Sequence, residues 1–275
     1  MKEVLYYEND FNWDEWATHC DEEFKLPEIT INPDTSDLCT DEKDQQATKW
    51  EQLFSCHVSG SLYKRRNYLY KEFSAHLADS LVLMELGCGY GSSVFALLPH
   101  LAADAKVWAV DHSSEALRIL QCHPDYDPER IECVKWSMAA LLPTEPPDAL
   151  THCAPDTILL VFSLSAILPH EHVTGVRNIK ALLSRSGGRG LVLFRDYGMH
   201  DMTMYRHQQR LSDLTFQRKD GTLCHYFTVE YVAALFTGEG FAMLECKYAT
   251  VINKNRKQEK TMHRVFVHAV FALVL

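Results

Sequence analysis

Glu85-Leu86-Gly87-Cys88-Gly89-Tyr90-Gly91 follows the apolar run Leu81-Val82-Leu83-Met84 and leads into Val94-Phe95-Ala96-Leu97-Leu98. An apolar run, a glycine turn and then a helix open a nucleotide-binding βαβ unit, in which backbone free of side chains lets a ligand approach a helix N-terminus. The spacing separates two ligand classes. A dinucleotide fingerprint reads G-x-G-x-x-G, whereas here the third glycine stands two positions after the second and Ser92 takes the place of the last. That argues against a nicotinamide dinucleotide. Asp111 ends the next apolar run, Val107-Trp108-Ala109-Val110, about twenty residues on, where a carboxylate reaches both hydroxyls of a ribose.

The chain of 275 residues, 47% of them apolar, suits one α/β domain with extensions and a sizeable core. No apolar stretch approaches the ~18 residues of a membrane span, and the N-terminus lacks the basic character of a targeting peptide. A soluble protein of the cytoplasm, with the nucleus also open, is expected, and no membrane partner. Nine cysteines without a C-x-x-C pair read as reduced thiols rather than a zinc or disulfide framework. The net charge of −10 is unevenly spread: residues 1–44 hold 14 acids against Lys2, Lys25 and Lys43, and the rest of the chain is close to neutral. Two basic clusters there, Lys64-Arg65-Arg66 with Lys71, and Lys254, Arg256, Lys257, Lys260 and Arg264, are either solvated faces or phosphate contacts.

Residues 1–44 read as an acidic arm whose Phe11, Trp13 and Trp16 dock it loosely. From about Ala47 to Leu77 the pattern is helical, with Trp50, Leu53, Phe54 and His57 at i, i+3, i+4 and i+7. This segment, 45–78, is core or a lid over a ligand; 79–275 is the α/β domain proper. Strands are expected at Leu81–Leu86, Lys106–Val110, Ile131–Lys135, Thr157–Phe162 and Leu191–Arg195, alternating with helices and therefore parallel. Asp220-Gly221 signals a hairpin, and two long apolar segments, Phe241–Val251 and Met262–Leu275, are expected to pair antiparallel.

The form E-x-G-x-G-x-G resembles motif I of S-adenosylmethionine (SAM) dependent methyltransferases. More specific stretches point further. Trp50-Glu51-Gln52-Leu53-Phe54 with His57 is similar to W-D-x-F-Y-x-x-[HN]. Leu160 to Ile167 with Pro169 resembles L-V-F-V-L-S-A-I-x-P, and Phe194-Arg195-Asp196-Tyr197-Gly198 with Asp201 resembles F-R-D-Y-G-x-x-D. In order over roughly residues 45–268, these resemble the tRNA 3-methylcytidine methyltransferases, which act on N3 of an anticodon-loop cytidine, typically position 32. The resemblance implies a class I methyltransferase fold: a Rossmann-like seven-stranded sheet with helices on both faces and an N-terminal helical lid. It implies SAM as cofactor, with Trp50 and Phe54 lining it from the lid, Gly87, Gly89 and Gly91 turning beside its methionine part, Asp111 on the ribose and Val161 flanking it. Where the family has C-D-L after strand three, this chain has Lys135-Trp136-Ser137, so Trp136 and Ser137 are expected against the adenine.

Cytosine N3 carries an in-plane lone pair and needs no strong base. The enzyme has to turn the base out of its stack and aim N3 at the methyl group. The base becomes cationic as methyl arrives, so a carboxylate beside it is stabilising. Asp196, following strand five, is expected in that role, with Arg195 holding phosphate or the base edge and Tyr197 stacking on the base. Lys64, Arg66, Arg256 and Arg264 are the expected phosphate contacts. tRNA is the expected partner, with an aminoacyl-tRNA synthetase or a tRNA deaminase as a helper. His170-Glu171-His172 reads as a helix entrance, not a metal site. Two alternatives stand beside this reading: a methyltransferase-fold subunit with weak or partner-dependent catalysis, and an enzyme acting on a protein or small molecule.

Overall fold

The central β-branched and leucine-rich runs become strands buried on both faces, with helices crossing over between them, while the outer strands leave one face partly exposed. The computed structural model describes residues 9–30, 39–57, 64–140, 148–187, 190–255 and 260–274. In chain order the elements are α1 (Trp13–Glu23), α2 (Cys39–Ser55), α3 (Tyr68–Leu77), β1 (Val82–Leu86), α4 (Val94–Leu97), β2 (Lys106–Asp111), α5 (Ser114–Gln121), β3 (Ile131–Lys135), α6 (Asp148–Thr151), β4 (Thr157–Val161), α7 (His172–Leu183), β5 (Leu191–Tyr197), β6 (Gln209–Arg210), β7 (Thr215–Gln217), β8 (Leu223–His225), α8 (Val229–Thr237), β9 (Phe241–Asn255) and β10 (Lys260–Leu273).

The main sheet has seven strands in the order β3-β2-β1-β4-β5-β10-β9. β1 to β5 pair in parallel, and β10 joins β5 and β9 antiparallel, which matches the expected class I methyltransferase sheet. Strand alternation splits the core in two. Leu83, Val107, Leu159, Val161 and Leu193 pack against Leu69, Phe73, Phe95 and Leu120 of the helices on one face. Met84, Ile158, Leu160, Val192 and Phe194 pack against Val176, Ile179 and Phe236 on the other. β6, β7 and β8 form a separate small sheet, and Gly221 turns the expected hairpin at φ +83°.

Three N-terminal expectations differ from the structure. α2 starts at Cys39, so it runs through residues 44 and 45, where the sequence set the end of the arm. The helical stretch from 47 to 77 is not continuous either. Arg66 lies outside α2 and α3, and its backbone N–H donates to Ser92 O at 3.1 Å, which fastens this connection to the loop after β1. The arm docks specifically rather than loosely. Trp13 stacks on Tyr248 at 4.1 Å and Trp16 on His263 at 4.2 Å. Asn9 bridges Thr250 on β9, and Ile29 bridges Arg210 on β6. Among the described residues no helix is long and apolar enough to cross a membrane.

Candidate active site

The glycines of the turn have separate jobs. Gly87 adopts φ +77°, and a Cβ placed on it would stand 2.5 Å from Ser163 Cβ, so the loops after β1 and β4 touch only because residue 87 has no side chain. Gly89, at φ +53°, donates its N–H to Asp111 Oδ2 at 2.8 Å, while Asp111 Oδ1 accepts from Ser113 N–H at 2.9 Å. Gly91 is a correction. It lies off the cavity wall, and its missing Cβ would meet Phe95 at 2.6 Å, so its conformation and packing explain it.

These loops surround a cavity of about 520 Å³. Along one end of the wall stand Gly87, Gly89, Asp111, His112, Trp136, Ser137 and Val161, roofed by Trp50 and Phe54 of α2. The Trp136 N–H donates to Asp111 O at 3.0 Å, which keeps the loops after β2 and β3 together. The lid is latched through Glu51: its carboxylate accepts from Ser113 Oγ, and from Glu115 N–H at 3.1 Å, at the first turn of α5. Trp50 Nε1, His112 Nε2 and Ser163 Oγ are buried polar atoms on this wall without a hydrogen-bond partner among the described residues. Buried polar atoms are seldom left so, and donors and acceptors aimed into a space of this size fit a nucleoside carrying an amino-acid tail.

Around the ends of β4, β5 and β10 the wall is aromatic and cationic. Phe162, held at φ +55°, lies 4.8 Å from the Tyr197 ring and 5.6 Å from Phe266. A non-glycine residue in that region stores strain and marks a constrained site. The Arg66 guanidinium lies 5.1 Å from the Phe162 ring centroid, Arg264 5.1 Å from Phe266, and Arg218 5.6 Å from Tyr197 and 5.8 Å from Trp50. Arg264 Nε donates to the buried Asp201 at 2.8 Å. Lys64 completes the cationic rim. Arg66 also faces the buried Glu85 at 3.9 Å; burial pushes that carboxyl up to about 7 against the pull of Arg66.

Two of the expected catalytic side chains are not on the wall. Asp196 is fully buried, and its oxygens accept from Ser165 N–H at 3.0 Å and Tyr197 N–H at 2.8 Å. Burial raises its carboxyl to about 6 against those bonds. It braces the loops after β4 and β5 instead of facing a base. Arg195 turns the opposite way, as its neighbour on a strand must, and meets Glu72 of α3 at 2.6 Å. Its guanidinium lies between the Tyr68 and Phe266 rings, 4.7 and 4.4 Å away. Glu72 also accepts from His268 at 2.8 Å. Burial works to raise the Glu72 carboxyl, but Arg195 and His268 outweigh it and hold it below the usual carboxylate value. Arg195 therefore holds α3 to the sheet and is not a phosphate contact here. Arg256 lies outside the described residues.

A profile of the methyltransferase domain family matches residues 84–189. The human tRNA N(3)-cytidine methyltransferase METTL6 is 30% identical over 249 residues, covering 86% of this chain and 84% of its own length. The chain belongs to this family, the tRNA N(3)-cytidine methyltransferases. The Schizosaccharomyces pombe tRNA N(3)-methylcytidine methyltransferase trm140 is 28% identical over 98% of this chain and 88% of its own length. Among solved structures, a SAM-dependent methyltransferase from Anabaena variabilis ATCC 29413 shares the fold at a TM-score of 0.61 and 16% identity, covering 91% of this chain and 98% of its own.

In this tRNA N(3)-cytidine methyltransferase relative, the sequence pattern gave Arg218, Phe162, Glu171 and Glu51 no role at the site, although the last three stand in stretches already singled out. Only the D-G signal beside Arg218 pointed to its hairpin, and nothing local showed that the hairpin folds back onto the cavity. Asp111 carries a direct prediction. Asp111→Ala removes the acceptor for two backbone N–H groups, Gly89 and Ser113, that shape the cavity wall. Calorimetry with S-adenosylhomocysteine should show affinity lowered roughly 10- to 100-fold. Unchanged affinity would detach Asp111 from the ligand.

Proposed function

We propose that this chain transfers the methyl group of SAM to N3 of a cytidine in tRNA, at position 32 of the anticodon loop. The observation that carries the reading is one continuous cavity with two chemically distinct ends. The glycine turn, Asp111, Trp136 and Ser137 stand toward β1 to β3, Tyr197, Phe162, Phe266 and Arg264 toward β4, β5 and β10, and Arg66 and Arg218 lie between them, against Glu85 and Phe162 and against Trp50 and Tyr197. Trp50, Phe54, Gly87, Gly89, Asp111, Trp136, Ser137 and Val161 would hold the cofactor, and the buried Nε1, Nε2 and Oγ of Trp50, His112 and Ser163 suit its polar groups. Bound there, it supplies an electrophilic methyl group on a sulfonium.

The chain's own work is positioning. Tyr197 offers a face on which an unstacked base rests, and the cationic rim holds the flanking phosphates. Stacking fixes the ring plane, and with it the direction of the N3 lone pair. Asp196 is a positioning residue that acts through the backbone of Ser165 and Tyr197. When ionised it accepts both N–H groups; protonation near pH 6 weakens that grip. Outside residues 1–44 the chain is close to neutral, little charge for holding a tRNA unaided. An aminoacyl-tRNA synthetase or a tRNA deaminase that presents the tRNA is therefore proposed with it, in the cytoplasm or nucleus.

The test is nucleoside mass spectrometry of tRNA incubated with the purified chain and SAM, with and without a candidate helper. 3-Methylcytidine at position 32 supports the reading; methylation of protein and not tRNA would overturn it. In the same assay the wild-type rate should fall as pH drops through about 6. Asp196→Asn should lower kcat, leave the KM for SAM unchanged and lose that inflection. An unaltered pH profile would remove Asp196 from positioning.

A further inference from the structure

The loop after β3, Trp136-Ser137-Met138-Ala139, offers an aromatic face and no carboxylate. Adenine also carries an exocyclic amino group, whose two hydrogens call for acceptors. The acceptors near this loop are largely taken. The carbonyls of Met138 and Ala140 receive both bonds of Asn178 Nδ2, at 2.7 and 2.8 Å, and Ser137 Oγ accepts from Ala139 N–H at 3.3 Å. Asp111 and Glu171 are the two carboxylates on the cavity wall among the described residues, and Asp111 is tied to Gly89 and Ser113.

Glu171 stands immediately before α7, and α7 is fastened to the loop in question. Asn178 reaches its carbonyls, and around Gly175 the side chains of Ile167, Leu164 and Met138 close to 3.8 Å of where a Cβ would sit. The same wall carries Trp136, Ser137, Met138, Ala139, Ile167 and Leu168. Glu171 is itself fixed: Oε2 accepts from Leu168 N–H at 3.2 Å, and the residue is 8% exposed.

We propose that Glu171 is the acceptor that reads the adenine amino group of the cofactor, supplying from the start of α7 the carboxylate that the loop after β3 lacks. The inference rests on the reading of this cavity as a SAM site and adds its purine specificity. A carboxylate at that edge favours a 6-amino purine and opposes a 6-oxo purine, which presents a carbonyl oxygen there.

The experiment compares S-adenosylhomocysteine with S-inosylhomocysteine, its 6-oxo analogue, by calorimetry on the full chain, the Glu171→Gln variant and the Glu171→Ala variant. The wild type should prefer the adenosine ligand by about tenfold or more. Glutamine keeps an oxygen for Leu168 N–H and turns its amide nitrogen toward the purine. Its preference should therefore move toward the inosine ligand by about tenfold or more, while alanine should leave little preference either way. An identical preference in wild type and Glu171→Gln overturns the assignment, as does a glutamine variant that loses tRNA turnover with both calorimetric affinities unchanged. The underlying reading fails differently: the wild type would then bind neither ligand. Should the alanine variant unfold, the wild-type ratio and the isosteric glutamine variant still decide.

Discussion

Gly87→Ala should weaken S-adenosylhomocysteine binding roughly 100-fold and reduce 3-methylcytidine formation at least as far. Two costs combine. An alanine at φ +77° enters a region that disfavours L-residues by about 1–2 kcal/mol, and its Cβ would overlap Ser163 Cβ at 2.5 Å, well inside contact. Either the turn after β1 or the loop after β4 must shift, and both line the cavity. Calorimetry reads the affinity. Ser163→Gly in the same chain supplies the control, because it removes the clash but not the backbone strain and should restore binding in part. Full affinity in the single variant would mean that the two loops do not meet as described.

Glu72→Ala should cost the fold about 3–5 kcal/mol, the usual result of leaving one member of a buried ion pair alone. The side chains of Glu72 and Arg195 are 0% and 4% exposed, and Glu72 also holds His268. Without the carboxylate, the guanidinium keeps its charge in a low-dielectric site against Tyr68 and Phe266. Urea unfolding followed by circular dichroism measures the loss. Adding Arg195→Met should recover much of it, since replacing both charges by apolar volume removes the unmet cost. A loss below about 1 kcal/mol in Glu72→Ala, the range of exposed pairs, would show that the pair is solvated.

The strands were legible because burial on both faces leaves an uninterrupted apolar run, as in Thr157–Val161. The glycine turn and Asp111 were legible because their spacing is set by the strands around them. What the sequence hid depends on packing across the fold. Arg195 and Asp196 differ by one strand position, and which of them faces a helix follows from the placement of α3, more than a hundred residues earlier. Tyr197, one step further, reaches the cavity because β5 ends there. Arg218 lies in a hairpin whose local sequence specifies its turn but not its neighbour. Glu171 looked like part of a helix entrance, which it is; its place on the cavity wall follows from Asn178, about two turns along α7, pinning the opposite loop.

The arm between residues 9 and 30 lies against the outer rim of β9 at one end and of β6 at the other. Exposed strand rims invite pairing between molecules, and this segment occupies part of each rim, at Thr250 and at Arg210. A version of the protein begun after residue 30 would free those two pairing positions, and a rise in self-association on concentration would be the first sign.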